Sequence, residues 1–128
     1  MIRFNNDYNH GAHPEILEAL SAVNDNSFGG YGEDEWCEKA ADLIRERVHC
    51  PDAAIHFFPG ATQANFIVIA SALSSVQSVI AADTGHINCH EAASVENTNH
   101  KIQTIPNTDG KITATQIDAC AGAYYEEK

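Results

Sequence analysis

Gly60, Ala61 and Thr62 stand where a short apolar run rich in β-formers, Ala54 to Phe58, breaks at Pro59-Gly60 and a helical pattern restarts. A helix N-terminus carries backbone N–H groups that have no intrahelical partner, and the helix dipole places partial positive charge beside them. Strand, tight turn and helix start therefore make a socket for an anion, phosphate above all. Gly60 removes a Cβ that would block a close approach, and the Thr62 hydroxyl adds a side-chain donor. The bland alternative is an ordinary capped turn, since any strand-to-helix junction leaves the same donors.

A second group, Asp83, His86, His90 and Glu91, falls within nine residues. His86 and His90 would share a helix face, a spacing that metal sites use, but the acid follows the pair instead of lying inside it as in zinc proteases. No metal site is expected. Taken alone, His86 could be a surface loop histidine, one of seven in the chain. Cys37, Cys50, Cys89 and Cys120 lack C-x-x-C spacing, which predicts reduced thiols with no disulfide and no cysteine-based zinc site.

These residues need elements to hold them. Residues 1–10 read as an extended arm ending in a turn at His10-Gly11. Pro14 suits a first helical turn, and Ile16, Leu17, Leu20 and Val23 follow on one face as far as Asn24. Residues 24–33, with three glycines and no period, form a loop of the kind that carries function. Asp34 opens a second helix, its start rich in Glu33, Asp34, Glu35 and Glu38, where negative charge favours the dipole. A strand is expected at 54–58 and a helix from about Thr62 to Leu73, apolar all round and so buried on most sides. Ser78 to Ala82 reads as a strand, 87–97 as helical, and Lys101 to Ile105 as a strand followed by a turn at 107–110. Thr113 with Gln116 fits a capping box that starts a last helix toward Tyr124. Strands alternating with helices imply β-α-β units and a parallel sheet, with ligands at the carboxyl ends of the strands. Both Gly60 to Thr62 and Asp83 to His86 fall there.

The 128 residues suffice for one domain, and 44% hydrophobic content indicates a globular class. A net charge of −11 argues against nucleic acid or an anionic membrane surface as partner, so any anion site rests on local dipoles. No secretory, transit or membrane-spanning pattern is visible, which predicts a cytoplasmic protein.

Five stretches then carry a resemblance: F-N-N-D-Y with G-A-H-P-E-I-L-E-A-L (Phe4 to Leu20), G-Y-G-E-D-E-W (Gly30 to Trp36), G-A-T-Q-A-N (Gly60 to Asn65), A-D-T-G-H-I-N-C-H-E (Ala82 to Glu91) and D-G-K-I-T (Asp109 to Thr113). In order and spacing they resemble the threonine aldolase and aromatic amino acid β-eliminating lyase family, over nearly the whole chain. The resemblance implies an α/β, three-layer α/β/α architecture with a mostly parallel sheet, part of the large domain of fold type I pyridoxal-phosphate enzymes. It divides the chain into 1–53, an arm and two helices, and 54–128, the first part of the domain that binds pyridoxal 5'-phosphate. It also implies a dimer or tetramer.

Carried over by position, Gly60, Ala61 and Thr62 are similar to the residues that hold the cofactor phosphate. His86 resembles the histidine that stacks on the pyridine ring near the substrate hydroxyl. Tyr31 resembles a tyrosine that approaches the active site, and Asn6 takes the place of a serine near the substrate carboxylate. His90 stands where others have an aromatic residue, and Glu91 matches an acid near the site; both are accessory candidates. The activity so implied is cleavage of the Cα–Cβ bond of a β-hydroxy-α-amino acid, threonine giving glycine and acetaldehyde.

Such an enzyme needs a lysine to bind the cofactor covalently and a carboxylate to keep the pyridine nitrogen protonated. Lys39 lies on a charged helix face, Lys101 and Lys111 flank a strand and a turn, and Lys128 is terminal, so none has the apolar setting that would depress its pKa. Asp83 before Thr-Gly reads as a turn residue. The expectation is an N-terminal portion of the enzyme, inactive alone. The alternative is a non-catalytic module that associates with a longer or complementary chain, marked by an exposed apolar surface.

Overall fold

The computed structural model describes residues 10–126. They group into two compact units divided between Phe57 and Phe58.

The first unit holds helices α1 (Pro14–Val23) and α2 (Glu35–Arg47). Proline at the first position starts α1, because its missing N–H would have no partner there anyway. Asp34 caps α2: its Oδ1 accepts from the amides of Trp36 (2.9 Å) and Cys37 (3.0 Å). Hydrogen bonding from Cys37, side chain and amide, holds the Asp34 carboxyl below its ordinary value, and Asp34 in turn raises the Cys37 thiol. Glu35 and Glu38 in the first turn and Arg45 and Arg47 in the last complement the dipole. The apolar faces read from the sequence are present but uncovered. Ile16, Leu17 and Leu20 are more than half exposed, as are Leu43 and Val48, and in α2 only Ala41 is buried. The loop between the helices turns through Tyr31 (φ 62°) and Gly32 (φ 78°).

The second unit is a β-α-β unit with flanking helices: α3 (Ala61–Ala72), β1 (Ser78–Ala82), α4 (His86–Cys89), β2 (Lys101–Ile105) and α5 (Ala114–Glu126). β1 and β2 pair in parallel, from Ser78 opposite Lys101 to Ala82 opposite Ile105. Parallel strands need a crossover, and here it contains α4 and a 3₁₀ turn at Glu96–Thr98. Val95, from that crossover, is fully buried, and Ile102 and Ile105 are buried with it. Three positions apart on an element of period two, Ile102 and Ile105 face opposite ways, so β2 is covered on both sides somewhere along its length.

Three expectations need correction. Residues 54–58 form no strand. Among the described residues the sheet has only β1 and β2, and a segment without a ladder partner stays irregular however rich in β-formers. The helix expected over 87–97 is interrupted after Cys89: His90 leaves helical geometry, and Ala92 and Ala93 take φ 49° and 61°. Helix α3 spans the expected stretch, but none of its residues is buried and Val68 is 56% exposed, because a two-stranded sheet is too narrow to cover it. Cys37, Cys50, Cys89 and Cys120 are free thiols.

The turn and the last helix form as read. Asp109 and Gly110 adopt φ 52° and 75°, and Thr108 and Lys111 bridge across them. The Thr113 amide donates to Gln116 Oε1 (2.8 Å) and the Gln116 amide to Thr113 Oγ1 (3.3 Å), a reciprocal capping box. Gln116 Nε2 also donates to the Pro106 carbonyl at 2.8 Å, tying the start of α5 to the end of β2. Thr113→Ala is expected to lower stability by about 1 kcal/mol. Urea unfolding followed by far-ultraviolet circular dichroism checks it, and an unchanged midpoint contradicts the cap.

Candidate functional site

The site is built at the carboxyl end of the β1–β2 pair. Beyond Ala82 the ladder runs one bond further, from the Asp83 amide to the Ile105 carbonyl (2.9 Å). Asp83 Oδ1 accepts from the amides of Thr84 (3.0 Å) and Asn107 (3.2 Å) and from Asn107 Nδ2, which also reaches Thr84 Oγ1 at 2.9 Å. This clasp joins the exits of both strands, and the Asn107 side chain is the main reason the Asp83 carboxyl lies below its ordinary value. Asp83 is thus a structural turn residue, as read.

Gly85 follows, its amide bonded to the Ala82 carbonyl at 2.8 Å. A Cβ here would stand 2.8 Å from that same oxygen, closer than real Cβ contacts come, so the turn into α4 requires glycine. Asn88 Nδ2 and Cys89 Sγ both donate back to the Asp83 carbonyl, at 2.7 and 3.2 Å, closing α4 on the loop.

From this frame His86 projects with its side chain 60% exposed, while Nδ1 lies 2.8 Å from Glu91 Oε1. The Glu91 side chain has no exposure. Its Oε1 also accepts from Asn65 Nδ2 (2.5 Å), and its Oε2 from Ser94 Oγ (2.9 Å). Burial pushes the Glu91 carboxyl up most strongly. The hydrogen bonds from Asn65, His86 and Ser94, with the charge of His86, outweigh it and leave the group below its ordinary 4.5. An ionised carboxylate only accepts, so a neutral His86 would meet it through an Nδ1–H.

Asn65 belongs to the second turn of α3, which brings that helix to the same carboxylate. At the N-terminus of α3, Gly60 is the cap residue and no side chain bonds there. The first bond of the helix runs from the Ala64 amide to the Gly60 carbonyl (3.1 Å), so the amides of Ala61, Thr62 and Gln63 have no acceptor among the described residues. A Cβ on Gly60 would meet nothing within 4 Å: the space is open, and the glycine is not relieving a clash within the chain.

The candidate residues thus fall into three groups. Gly60, Ala61, Thr62, His86, His90 and Glu91 share the second unit, with the His90 ring centroid 5.6 Å from that of His86 and tilted by 50°. Tyr31 belongs to the first unit, where it is fully exposed. Asn6 lies outside the described residues. Among the described residues no three His, Cys, Asp or Glu side chains converge in a way that could hold a metal ion. Sequence reasoning missed Asn65 and Ser94 as the donors that hold Glu91. A signal was present for Asn65, an amide entering the apolar run Phe66 to Ala70, where burial without a partner is costly.

A parallel β-α-β unit, with a clasped loop and a carboxylate-anchored histidine beyond its strand exits, defines an α/β protein with a candidate ligand site at the carboxyl edge of its sheet. The family model for beta-eliminating lyases matches residues 7–127, and the chain belongs to that family. It is similar to the low specificity L-threonine aldolases of Pseudomonas sp. (strain NCIMB 10558) and Pseudomonas aeruginosa, 30% and 28% identical over 117 residues, 90% of this chain. A solved structure of Leishmania major threonine aldolase superposes with a TM-score of 0.89 at 42% identity, covering 92% of this chain. The fold is that of part of a fold type I α/β domain. The chain spans 34% of the length of each of these relatives.

Loss of the buried carboxylate should be visible in stability. Glu91→Ala leaves two neutral donors and the His86 Nδ1–H without their acceptor, an expected cost of roughly 2 kcal/mol. Because the folded pKa is depressed, the contribution of Glu91 is fully present above the unfolded value of 4.5 and is lost as pH falls through the folded value. Glu91→Gln is therefore expected to unfold with a shallower dependence on pH below that value. Chemical unfolding at a series of pH values checks both, and parallel acid limbs for wild type and Glu91→Gln would contradict the assignment.

Proposed function

We propose that this chain forms the phosphate- and ring-binding part of a pyridoxal-phosphate lyase of the threonine aldolase kind, acting on β-hydroxy-α-amino acids. The observation that carries this reading is a pair of features in one unit: the uncommitted amides of Ala61, Thr62 and Gln63 in open space, and an exposed imidazole held through Nδ1 by a buried carboxylate. The donor set suits the cofactor, because a dianionic phosphoryl group wants convergent N–H donors and a helix N-terminus, and an aromatic ring wants a flat partner. The relatives' names supply the substrate class.

Pyridoxal 5'-phosphate, when bound, supplies the electron sink for the broken Cα–Cβ bond. This chain's residues do the rest of what is proposed for them. The Ala61 and Thr62 amides and the Thr62 hydroxyl take the phosphate beside Gly60, without help from basic side chains in an acidic protein. His86 offers its ring face to the pyridine and its Nε2 to the substrate hydroxyl. Asn6 and Tyr31 are proposed substrate contacts, with His90 beside His86 as an accessory aromatic. Threonine would yield glycine and acetaldehyde, in a cytoplasmic homo-oligomer.

No lysine among the described residues suits covalent attachment. Lys39 is paired with Glu35 at 3.0 Å and stands 4.7 Å over the Trp36 ring, and Lys101 and Lys111 are exposed. The 128 residues are accordingly proposed to bind the cofactor reversibly without turnover. A second reading, a module that associates with a longer homologous chain, is favoured by the uncovered apolar residues of α1 and α3.

Titration of the chain with pyridoxal phosphate, followed by ligand fluorescence, tests the first reading. Thr62→Ala is expected to weaken binding about tenfold, the worth of one good hydrogen bond to a charged group. Dialysis is expected to remove all visible absorbance. Binding indifferent to Thr62, or a retained imine on Lys39, Lys101 or Lys111, would contradict it.

A further inference from the structure

Glu91 accepts from donors on three segments. Asn65 and Ser94 give one hydrogen bond to each oxygen, and His86 supplies the third, on Oε1. His86, at 60% exposure, could equally give Nδ1–H to water. A contact between a fully buried acid and a largely exposed ring that does not need it for solvation has its consequence, on the ring's side, in how the ring is held. Ala92 and Ala93 both take left-handed φ values, unfavourable for residues with a Cβ, and so return Ser94 to Glu91.

We propose that Glu91 is a positioning residue for His86: its carboxylate locks the imidazole in the Nδ1–H tautomer and leaves Nε2, on the exposed side, as a proton acceptor for a substrate hydroxyl. Asn65 extends the same arrangement to α3, so that the acceptor edge of His86 and the anion-binding end of α3 are indexed to one oxygen atom, Glu91 Oε1. A carboxylate behind an imidazole, fixing tautomer and orientation while staying ionised itself, is the general arrangement by which histidine is kept ready to take a proton. The groups facing His86 are Glu91 on Nδ1 and the tilted ring of His90. The substrate hydroxyl in this inference rests on the proposed lyase function; the tautomer does not.

The test is long-range proton–nitrogen correlation NMR of the ring nitrogens in the full chain at about pH 8, above the ordinary histidine pKa, with His86 assigned by its loss in His86→Asn. The expected result is a protonated Nδ1 and a bare Nε2. A predominant Nε2–H form in the wild-type chain overturns the proposal and needs no variant to do so. Glu91→Gln, whose amide can donate to Nδ1, is expected to shift the population to Nε2–H, and Glu91→Asp to restore Nδ1–H in part. An unchanged tautomer in a folded Glu91→Gln chain also overturns it. In a threonine-cleaving protein that carries this chain, Glu91→Gln is expected to lower kcat by about 100-fold with KM within about threefold. A loss confined to KM counts against positioning. The expected tautomer in a protein that cleaves no threonine would leave the positioning in place and reject the lyase reading instead.

Discussion

A carboxylate withdrawn from water must find donors or give up its charge, and Glu91 finds three on three separate segments. Asn65 comes from α3, His86 from the start of α4, and Ser94 from the turns that lead back toward β2. The second unit depends on this convergence, because few of its apolar side chains are deeply buried: Val95, Ile102 and Ile105 make a small core for three helices and two strands. Where apolar burial is modest, a satisfied polar cluster supplies much of what makes the arrangement unique.

The rest of the site is a matter of holding a short loop still. Asn107 grips Asp83 across the two strand exits, and Gly85 lets the backbone fold within hydrogen-bond distance of Ala82. His86 then begins α4 with its backbone fixed on one side and its ring fixed on the other. The N-terminus of α3 needs no such apparatus, since its donors follow from helix geometry alone.

Local chemistry is what the sequence made legible. Pro14, Asp34 and the Thr113–Gln116 pair each act within a few residues, so their helices begin where the pattern places them. The two strands at 78–82 and 101–105 were also readable, as short apolar or alternating runs between turn residues. Residues 54–58 and 87–97 were not. The first has the composition of a strand, but strand formation is decided by a partner elsewhere in the chain. The second has helical composition, yet Glu91 is drawn inward to Asn65, 26 positions away, and the helix gives way. The motif around His86 pointed to a ring and, in Glu91, to an acid near it; the contact between the two, and the Asn65 amide and Ser94 hydroxyl on the same carboxylate, became visible only with the distant segments in place.

The parallel register of β1 and β2 also sets the order in which this architecture can assemble. Antiparallel strands can begin at a tight turn, whereas Ser78 meets Lys101 only after the whole intervening segment has been closed into a loop, at an entropic cost that precedes any reward. Asp83 and Asn107 cannot clasp until the strands are side by side, and both flank that closure. The strand-exit edge therefore forms only after that closure, while the capped helices form on the faster timescale of local structure.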